Sequence, residues 1–427
     1  MSHNNSILSL LNLKDTNIVF DDTIFCSEET MKNITYKFFN GTLTYTPEAC
    51  YSCGHVFDDN IIKHGFKTSN IKLPTVSGFH AYLRLKKQRY FCKHCNSTFI
   101  LKTSIVDKNC FISNNTKLAI ALNAKDKISE KDIAKNHNVS HSTVNRVIDS
   151  FYAYHKPNYN YLPKHLCFDE FKSVKSAKGA MSFIFCDSET GRILDIVEDR
   201  RLHVLNDYFL RYSKAARNSV KTIVIDMYSP YISLVKSIFP KSKIIIDKFH
   251  IIQLFSRALN KTRIKIMNLD KDKKNYNKLK RYWKLLLKDK SKIDYYNYNY
   301  HHAFKNQMRE IDIINYLLDL DPELKATYEL YHNVRGCVNN KDFDLLNQAL
   351  KENINNVSDY MKTSIKTIKK YMDYVHNTLN YDYTNGILEG INNKIKVIKR
   401  IAFGYRSFLH FKNRILITQN LAELKKA

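Results

Sequence analysis

HLCFDEFKS at residues 165–173 is a short apolar run that carries an acid, Asp169, and VKTIVIDMYSP at 220–230 repeats the device with Asp226. Brief runs rich in Val, Ile and Phe, bounded by turn residues, have the pattern of buried strands. Both carboxylates are therefore expected to emerge at one edge of a sheet. AMSFIFCDSET (180–190) and RILDIVEDR (192–200) add two more strand signals after the first, joined by short polar turns that include Gly191. A helical stretch from Leu205 to Tyr212 precedes the Asp226 strand. The helix YISLVKSI (231–238) follows it, and then a further strand, KIIID, ending at Asp247.

Antiparallel hairpin strands followed by alternating helix and strand describe a mixed α/β sheet of the ribonuclease H-like kind. A third acid arrives much later: Glu389 in NGILEGINNKIKVIKR (385–400). Read as a helix, that segment puts Glu389, Asn392, Asn393 and Lys396 on one face at i, i+3, i+4 and i+7, with Ile391, Ile395 and Ile398 packing elsewhere. Carboxylate oxygens suit Mg²⁺ or Mn²⁺, and two ions about 3.5–4 Å apart can stabilise both the attacking and the leaving oxygen of an in-line phosphoryl displacement. Asp169, Asp226 and Glu389 are thus the candidate catalytic metal ligands. Asp247 and His250 in IIIDKFHI are candidates for a supporting layer that orients metal or DNA. Each acid taken alone also fits a surface or capping carboxylate; it is the three together, in these settings, that point to chemistry.

The chain has 427 residues and a formal charge of +27, with a pI near 9.5. That length exceeds one ordinary core, and that charge calls for an acidic partner, most often nucleic acid rather than a membrane surface. No apolar stretch approaches the roughly 18–20 residues of a spanning helix, and the N-terminus lacks a basic segment leading into an apolar one, so a cytoplasmic, nucleoid-associated protein is expected. Of nine cysteines, four stand as two CxxC pairs and five are scattered (Cys26, Cys110, Cys167, Cys186, Cys337), an odd total that argues against a disulfide framework.

Six segments are expected along the chain. A leader occupies 1–45. At 46–105, CYSCG and CKHC place Cys50, Cys53, Cys92 and Cys95 at two turns flanking β-type sequence, the arrangement of a zinc ribbon holding one structural Zn²⁺; a redox pair is the rival reading. His55 and His94 stand beside these knuckles as substitutes or as plain turn residues. Arg84, Lys86, Lys87 and Arg89 between them offer phosphate contacts. At 110–155 the period becomes helical: Leu118, Ala119 and Leu122 mark a first helix, Ser129 opens a second, and His137-Asn138-Val139 makes a turn with Asn138 left-handed. Ser140 then caps a third, in which Val144, Val147 and Ile148 face inward and His141, Ser142, Thr143, Asn145 and Arg146 face out. This is helix-turn-helix spacing, although an ordinary three-helix unit shares it. After the linker HKPNYNYLPKH, the core begins at 160–254 and is interrupted at 255–379 by a helical insertion whose most basic part is KDKKNYNKLKRYWKLLLKDKSK (271–292). A run of charge on a helix is commonly a solvated face; interleaved Tyr and Trp283 also suit nucleic acid. The core resumes at 380–427, where Lys399, Arg400, Arg406, Lys412 and Arg414 form a basic surface for DNA.

CYSC, CKHC, the helix-turn-helix, FDEF, VIDMY, IIIDKFHI and LEGINNKIKVIKRIAFGYRSF together resemble the DDE transposases of bacterial insertion sequences, specifically the ISL-three family, over nearly the whole chain. By motif the resemblance carries the catalytic acids onto Asp169, Asp226 and Glu389. It implies an enzyme that binds the terminal inverted repeats of an element, cleaves DNA and transfers strands, with two Mg²⁺ or Mn²⁺ ions at the site. The partners implied are terminal-repeat and target DNA, with at least a homodimer to pair two ends. The alternative is a DNA-binding regulator derived from a transposase, keeping ribbon and helix-turn-helix but no catalysis.

Overall fold

A computed structural model describes residues 3–269, 275–352 and 354–422, and the chain divides into two compact units. The first takes residues up to His155 together with those from Ile395 onward; the second is Lys156–Lys394. The fold class is multidomain: a zinc-ribbon sheet and a helix-turn-helix in the first unit, and a ribonuclease H-like mixed sheet with a helical insertion in the second. No described helix is long and apolar enough to cross a membrane.

In the first unit the strands are β1 (Ile18–Phe20), β2 (Cys26–Met31), β3 (Ile34–Leu43), β4 (Ile61–Val76), β5 (Phe79–Cys92) and β6 (Ser97–Ile100). They form one sheet in the order β1-β3-β5-β4, with β2 on β3 and β6 on β5. The long β4–β5 hairpin closes through Ser77 and Gly78, both at positive φ (51° and 81°), which is the two-residue turn whose twist matches the flanking strands. Residues 1–45, expected as a separate leader, are part of this sheet: β1, β2 and β3 belong to it, and Ile18, Phe20, Phe39 and Leu43 share a buried cluster with Leu83, Leu85 and Tyr90. β5 is consequently an interior strand, and this corrects the expected phosphate-facing row. Arg84 pairs with Glu29 at 2.8 Å and lies 4.4 Å over the Phe38 ring, Arg89 donates to the His64 carbonyl, and burial pushes the Lys87 ammonium down; Lys86 is exposed.

Three helices follow, Asn114–Asn123, Glu130–Asn136 and His141–Phe151, capped by Ser113, Ser129 and Ser140 through side-chain oxygens. Asn138 takes the left-handed conformation (φ 49°) in the turn. Val144, Val147 and Ile148 are buried as expected. The first helix is rotated from expectation: Thr116, Ile120 and Ala121 face the core, while Leu118 and Leu122 are 41% and 46% exposed. A helix of three turns with leucines on either side of its polar face leaves periodicity ambiguous, and Ala121 and Ile120 fit the closer approach.

The C-terminal segment 380–427, expected as the last part of the core, does not belong wholly to the second unit. Its last helix, Phe408–Thr418, packs into the helix-turn-helix: Ile417 is fully buried among Ile120, Ile133, Val144 and Val147. Arg414, expected on a basic surface, is 2% exposed and donates to the carbonyls of Asp126 and Ile128, closing the loop between the first two helices of the motif.

The second unit contains β7 (His165–Lys172), β8 (Met181–Asp187), β9 (Ile193–Val197), β10 (Thr222–Ile225) and β11 (Lys243–Ile246) in the order β11-β10-β7-β8-β9. β7, β8 and β9 are antiparallel neighbours, and β10 and β11 are parallel to β7. Phe168, Phe183, Phe185, Phe209 and Tyr231 pack one face. From β11 the 22-residue helix Lys248–Leu269 runs into a helical core with Ile313, Leu317, Val334, Val338, Met361 and Ile365. The insertion is not purely helical, because β12 (Asn299–His301) and β13 (Asn306–Met308) form a small hairpin. Of its basic segment, residues 271–274 lie outside the described residues; Lys278 is buried, with Nζ 2.7 Å from the Tyr316 hydroxyl. Helix Met372–Asn380, expected inside the insertion, lies along edge strand β11: Thr378 Oγ1 bonds both the amide and the carbonyl of Ile246, and Asn377 donates to the Ile244 carbonyl, occupying the edge groups a strand would otherwise leave open.

Removing the side chain of a buried residue in a small helical core costs about 2–5 kcal/mol. Ile417→Ala is therefore expected to lower the thermal midpoint of the first unit clearly, whereas exposed Leu122→Ala stays within about 0.5 kcal/mol of wild type. Differential scanning calorimetry reads both, and an unmoved midpoint for Ile417→Ala would detach the C-terminal helix from the helix-turn-helix core.

Candidate functional site

Parallel pairing brings the acids of the second unit together. Val224 of β10 lies beside Cys167 of β7, and Ile225 lies beside Ile246 of β11. Carrying these registers forward sets Asp226 level with both Asp169 and Asp247, in one row across three adjacent strands about 4.8 Å apart, with in-register side chains on the same face. The Asp247 amide still donates to the Ile225 carbonyl at 3.0 Å, so the row keeps its register just past the last paired residues. Side chains alternate along β7: Glu170 turns away from the row, accepting the Tyr231 hydroxyl at 2.6 Å and pairing with Arg200.

Burial and then the neighbouring Asp226 carboxylate push the Asp169 carboxyl up to about 7, against which the Glu170 amide, 2.7 Å from Asp169 Oδ1, works only in part. Asp247 is raised as well, chiefly by burial. His250, in the first turn of the helix after β11, places Nε2 3.0 Å from Asp226 Oδ1, and that bond raises the imidazole and favours its charged form. Asp247 and His250, expected as supporting residues, thus lie in the row itself and on Asp226.

Glu389 is carried by helix Gly386–Ile401 and is exposed. Among the described residues it is not brought within shared-ligand reach of Asp169 and Asp226; the group of three or more such side chains that does meet is the four cysteines. The helix buries Leu388, Ile391, Asn392, Ile395 and Ile398. Asn392, expected to face DNA, is instead 7% exposed, with Nδ2 2.7 Å from Asp169 Oδ2, because the i+3 position from Glu389 lies about 60° round the helix and falls on the buried side. Asn385, just before the helix, donates to Asp226 Oδ1 at 3.3 Å and to the Phe168 carbonyl at 3.1 Å. Sequence reasoning missed Asn385 altogether; its place four residues before Glu389 was the available signal. Asn393, Lys396, Arg400 and Arg406 are exposed and Lys399 half-buried.

In the first unit the four cysteine sulfurs lie within 4.8 Å of one another, with Cys50 to Cys95 at 3.7 Å and Cys53 to Cys92 at 3.9 Å. Tetrahedral zinc with Zn–S bonds of about 2.3 Å requires sulfurs about 3.8 Å apart, so the set fits a structural Zn²⁺. Burial raises the Cys50 thiol, but the amides of Cys53 and Ser52 outweigh it and hold the group down at about 6, near the thiolate a metal takes. His55 and His94 stack on each other with ring centres 4.8 Å apart, and His55 bonds Asp58; they flank the cluster without replacing a cysteine. On the third helix of the helix-turn-helix, His141, Ser142 and Arg146 are exposed, Thr143 and Asn145 half-buried, and His141 lies 3.3 Å from Glu130.

Three family models match the chain in the order of these parts. One described as a zinc-finger of transposase IS204/IS1001/IS1096/IS1165 covers residues 46–95, one described as the helix-turn-helix domain of transposase family ISL3 covers 101–152, and the ISL3 model described as transposase covers 166–415. Among curated proteins, the transposase for insertion sequence element IS1001 of Bordetella parapertussis is 24% identical over 254 residues, which are 58% of this chain and 59% of that protein. A Lactococcus lactis subsp. lactis protein named ATP-dependent protease is 39% identical over 110 residues, 26% of this chain and 35% of that one. The chain therefore spans about a third to three fifths of the length of these relatives. With the transposase model matching more than half of its 427 residues, the chain belongs to the ISL3 family of transposases.

Proposed function

We propose that this protein is a DNA transposase that binds the terminal inverted repeats of an insertion sequence and carries out metal-dependent DNA cleavage and strand transfer. The observation that carries the reading is the side-by-side placement of Asp169 and Asp226 on parallel strands, where burial and mutual repulsion disfavour the ionised pair and a divalent cation would favour it. Two Mg²⁺ or Mn²⁺ ions, bound by Asp169, Asp226 and Glu389, would supply activation of the attacking oxygen and neutralisation of the leaving one. Asp226 is oriented by His250, and Asp169 by Asn392. Glu389 is the third carboxylate in this reading, reaching the pair from the helix that Asn392 already anchors to Asp169. The outward side of the third helix, from His141 to Arg146, reads the terminal repeat through its first turns, while Asn393, Lys396, Lys399, Arg400 and Arg406 contact phosphates. Work on chromosomal and element DNA places the protein in the cytoplasm, and pairing of two ends calls for at least a dimer.

The exposed Glu389 favours one second reading, a regulator that binds DNA without cutting it. Labelled DNA bearing the ends of the encoding element separates the two. Wild type is expected to nick and join it in Mg²⁺ and not in EDTA, with Asp226→Asn and Glu389→Gln each losing at least about a thousandfold in rate. Binding without cleavage by all three proteins would establish the regulator.

Asp169 also gives stability a pH dependence of defined sign. Its folded pKa of about 7 lies above the ordinary 3.8, so without divalent cations the folded state holds the extra proton, and stability falls as pH rises from about 4 to 7. Asp169→Asn, a neutral isostere, is expected to match wild type near pH 4 and to exceed it by roughly 2–4 kcal/mol at pH 8 in EDTA. Chemical denaturation at the two pH values checks this; a variant no more stable at pH 8 would return Asp169 to an ordinary carboxylate.

For the ribbon, elemental analysis should find about one zinc per chain, and strong chelation should unfold β5–β6 and abolish end binding. Zinc-free protein with an unchanged melting profile would eliminate the metal from the fold.

A further inference from the structure

Helix Gly386–Ile401 ends in a hydrogen-bonded turn with an unexpected occupant. The Phe403 amide donates to the Arg400 carbonyl at 3.1 Å and the Gly404 amide to the Lys399 carbonyl at 3.2 Å, the paired bonds that close a helix when the residue after its cap turns left-handed. That residue is ordinarily glycine, because a Cβ crowds the backbone there. Here it is Phe403, at φ 53°. The other non-glycine residues at positive φ among those described are Asn, Lys or Ser. Phe403 is also 91% exposed, the most exposed large hydrophobic side chain among the described residues. Backbone conformation and solvent exposure both disfavour a phenyl ring at this place, and a glycine would relieve the two together.

At that exposure the ring gains little from its own chain, so what compensates it must be a partner. Its surroundings indicate which. Residues 390–422 contain seven lysines and arginines and no acid, and Arg400 and Arg406, three positions to either side of Phe403, are both exposed. An apolar tip between cations fits a polyanion with an apolar interior, which is duplex DNA: the cations meet phosphates while the ring enters between stacked base pairs. The turn is also fixed to the part of the molecule that reads DNA, since it belongs to the same compact unit as the helix-turn-helix. Tyr405 lies with its ring centre 5.0 Å from that of fully buried Phe411, on the helix Phe408–Thr418 that Ile417 seats in the helix-turn-helix core. His410 Nε2 of that helix is 3.6 Å from Asp149 of the third helix. We propose that Phe403 is a DNA wedge: while the helix-turn-helix holds the terminal repeat, the ring inserts between adjacent base pairs and unstacks them, with Arg400 and Arg406 on the flanking phosphates. The inference deepens the reading of the helix-turn-helix as the part that binds the repeat, and rests on it. An anchored turn suits the task, because a ring presented on a flexible loop would lose conformational entropy on entry. Unstacking is cheapest at pyrimidine–purine steps, which places the insertion at such a step.

The test binds full-length, zinc-loaded protein at saturation to duplexes bearing the end of the encoding element, with each adenine replaced in turn by 2-aminopurine, whose fluorescence rises on unstacking. Mg²⁺ is omitted so that the strands stay intact. Wild type is expected to brighten the probe at one step; Phe403→Gly is expected to return that step to the level of free duplex while melting at or above the wild-type temperature, and Phe403→Leu, still apolar, to keep most of the signal. Bound wild type that brightens no position, or a signal that Phe403→Gly leaves intact, overturns the wedge while the helix-turn-helix reading stands. A Phe403→Gly protein that melts clearly lower, or does not fold, makes the ring a packing residue and overturns it likewise. Phosphatidylserine vesicle binding or self-association that Phe403→Gly abolishes, with the probe signal unchanged, assigns the ring to a membrane surface or a second copy instead. Wild type that binds the element end no better than unrelated duplex overturns the helix-turn-helix reading and this inference with it.

Discussion

Parallel registration of β10 with β7 on one side and β11 on the other is the constraint from which the site follows. Backbone hydrogen bonds fix which residues lie level, and a slip by one position would turn the aspartates to opposite faces of the sheet. Within that register, Asp169 and Asp226 have no freedom to separate by more than their side chains allow. The cost of burial, and after it of proximity, appears as a carboxyl raised to about 7, and it is met locally by an imidazole, two amides and a backbone N–H.

Those donors come from sequence-distant segments, and each is itself anchored. His250 follows β11 directly, in the first turn of a helix whose Ile251 and Phe255 are fully buried. Asn392 sits on a helix that buries Leu388, Ile391 and Ile395, and Gly191 at the β8–β9 turn lets that helix approach closely: a Cβ there would stand 2.7 Å from Ile387, and the φ of 71° disfavours a side chain anyway. Thr378 and Asn377 hold a further helix along β11, so the strand bearing Asp247 is not a free edge. Rigid packing behind each polar group is what allows carboxylates to be held closer than their charges prefer.

Much of this was legible in the sequence, for identifiable reasons. Strands β7 to β11 are brief, unmixed apolar runs with acids at or near their ends, and such runs have few competing readings. The CxxC pairs and the Ser129 and Ser140 caps act over a handful of residues, so local sequence suffices to place them. What was not legible depends on partners far along the chain. Residues 1–45 carry no motif, because β1–β3 are specified by pairing with β5 rather than by their own pattern. Arg84 and Arg414 read as surface cations until Glu29, Phe38 and the carbonyls of Asp126 and Ile128 are in place. Helical spacing grouped Asn392 with Glu389, but a face defined to within about 60° cannot say which of the two neighbours is turned inward.

Charge gives that last distinction a physical sense. A chain of net charge +27 attracts the DNA backbone almost everywhere, yet the row of Asp169, Asp226 and Asp247 repels it at the point where chemistry would occur. Neutral Asn392 on the buried side, with Glu389 left in solvent, keeps that repulsion from growing further. Bringing Glu389 inward as a fourth carboxylate would raise the desolvation and repulsion that already hold Asp169 half-protonated near neutrality. Solvent is therefore the electrostatically favoured position for Glu389, beside a row that already carries three carboxyl groups.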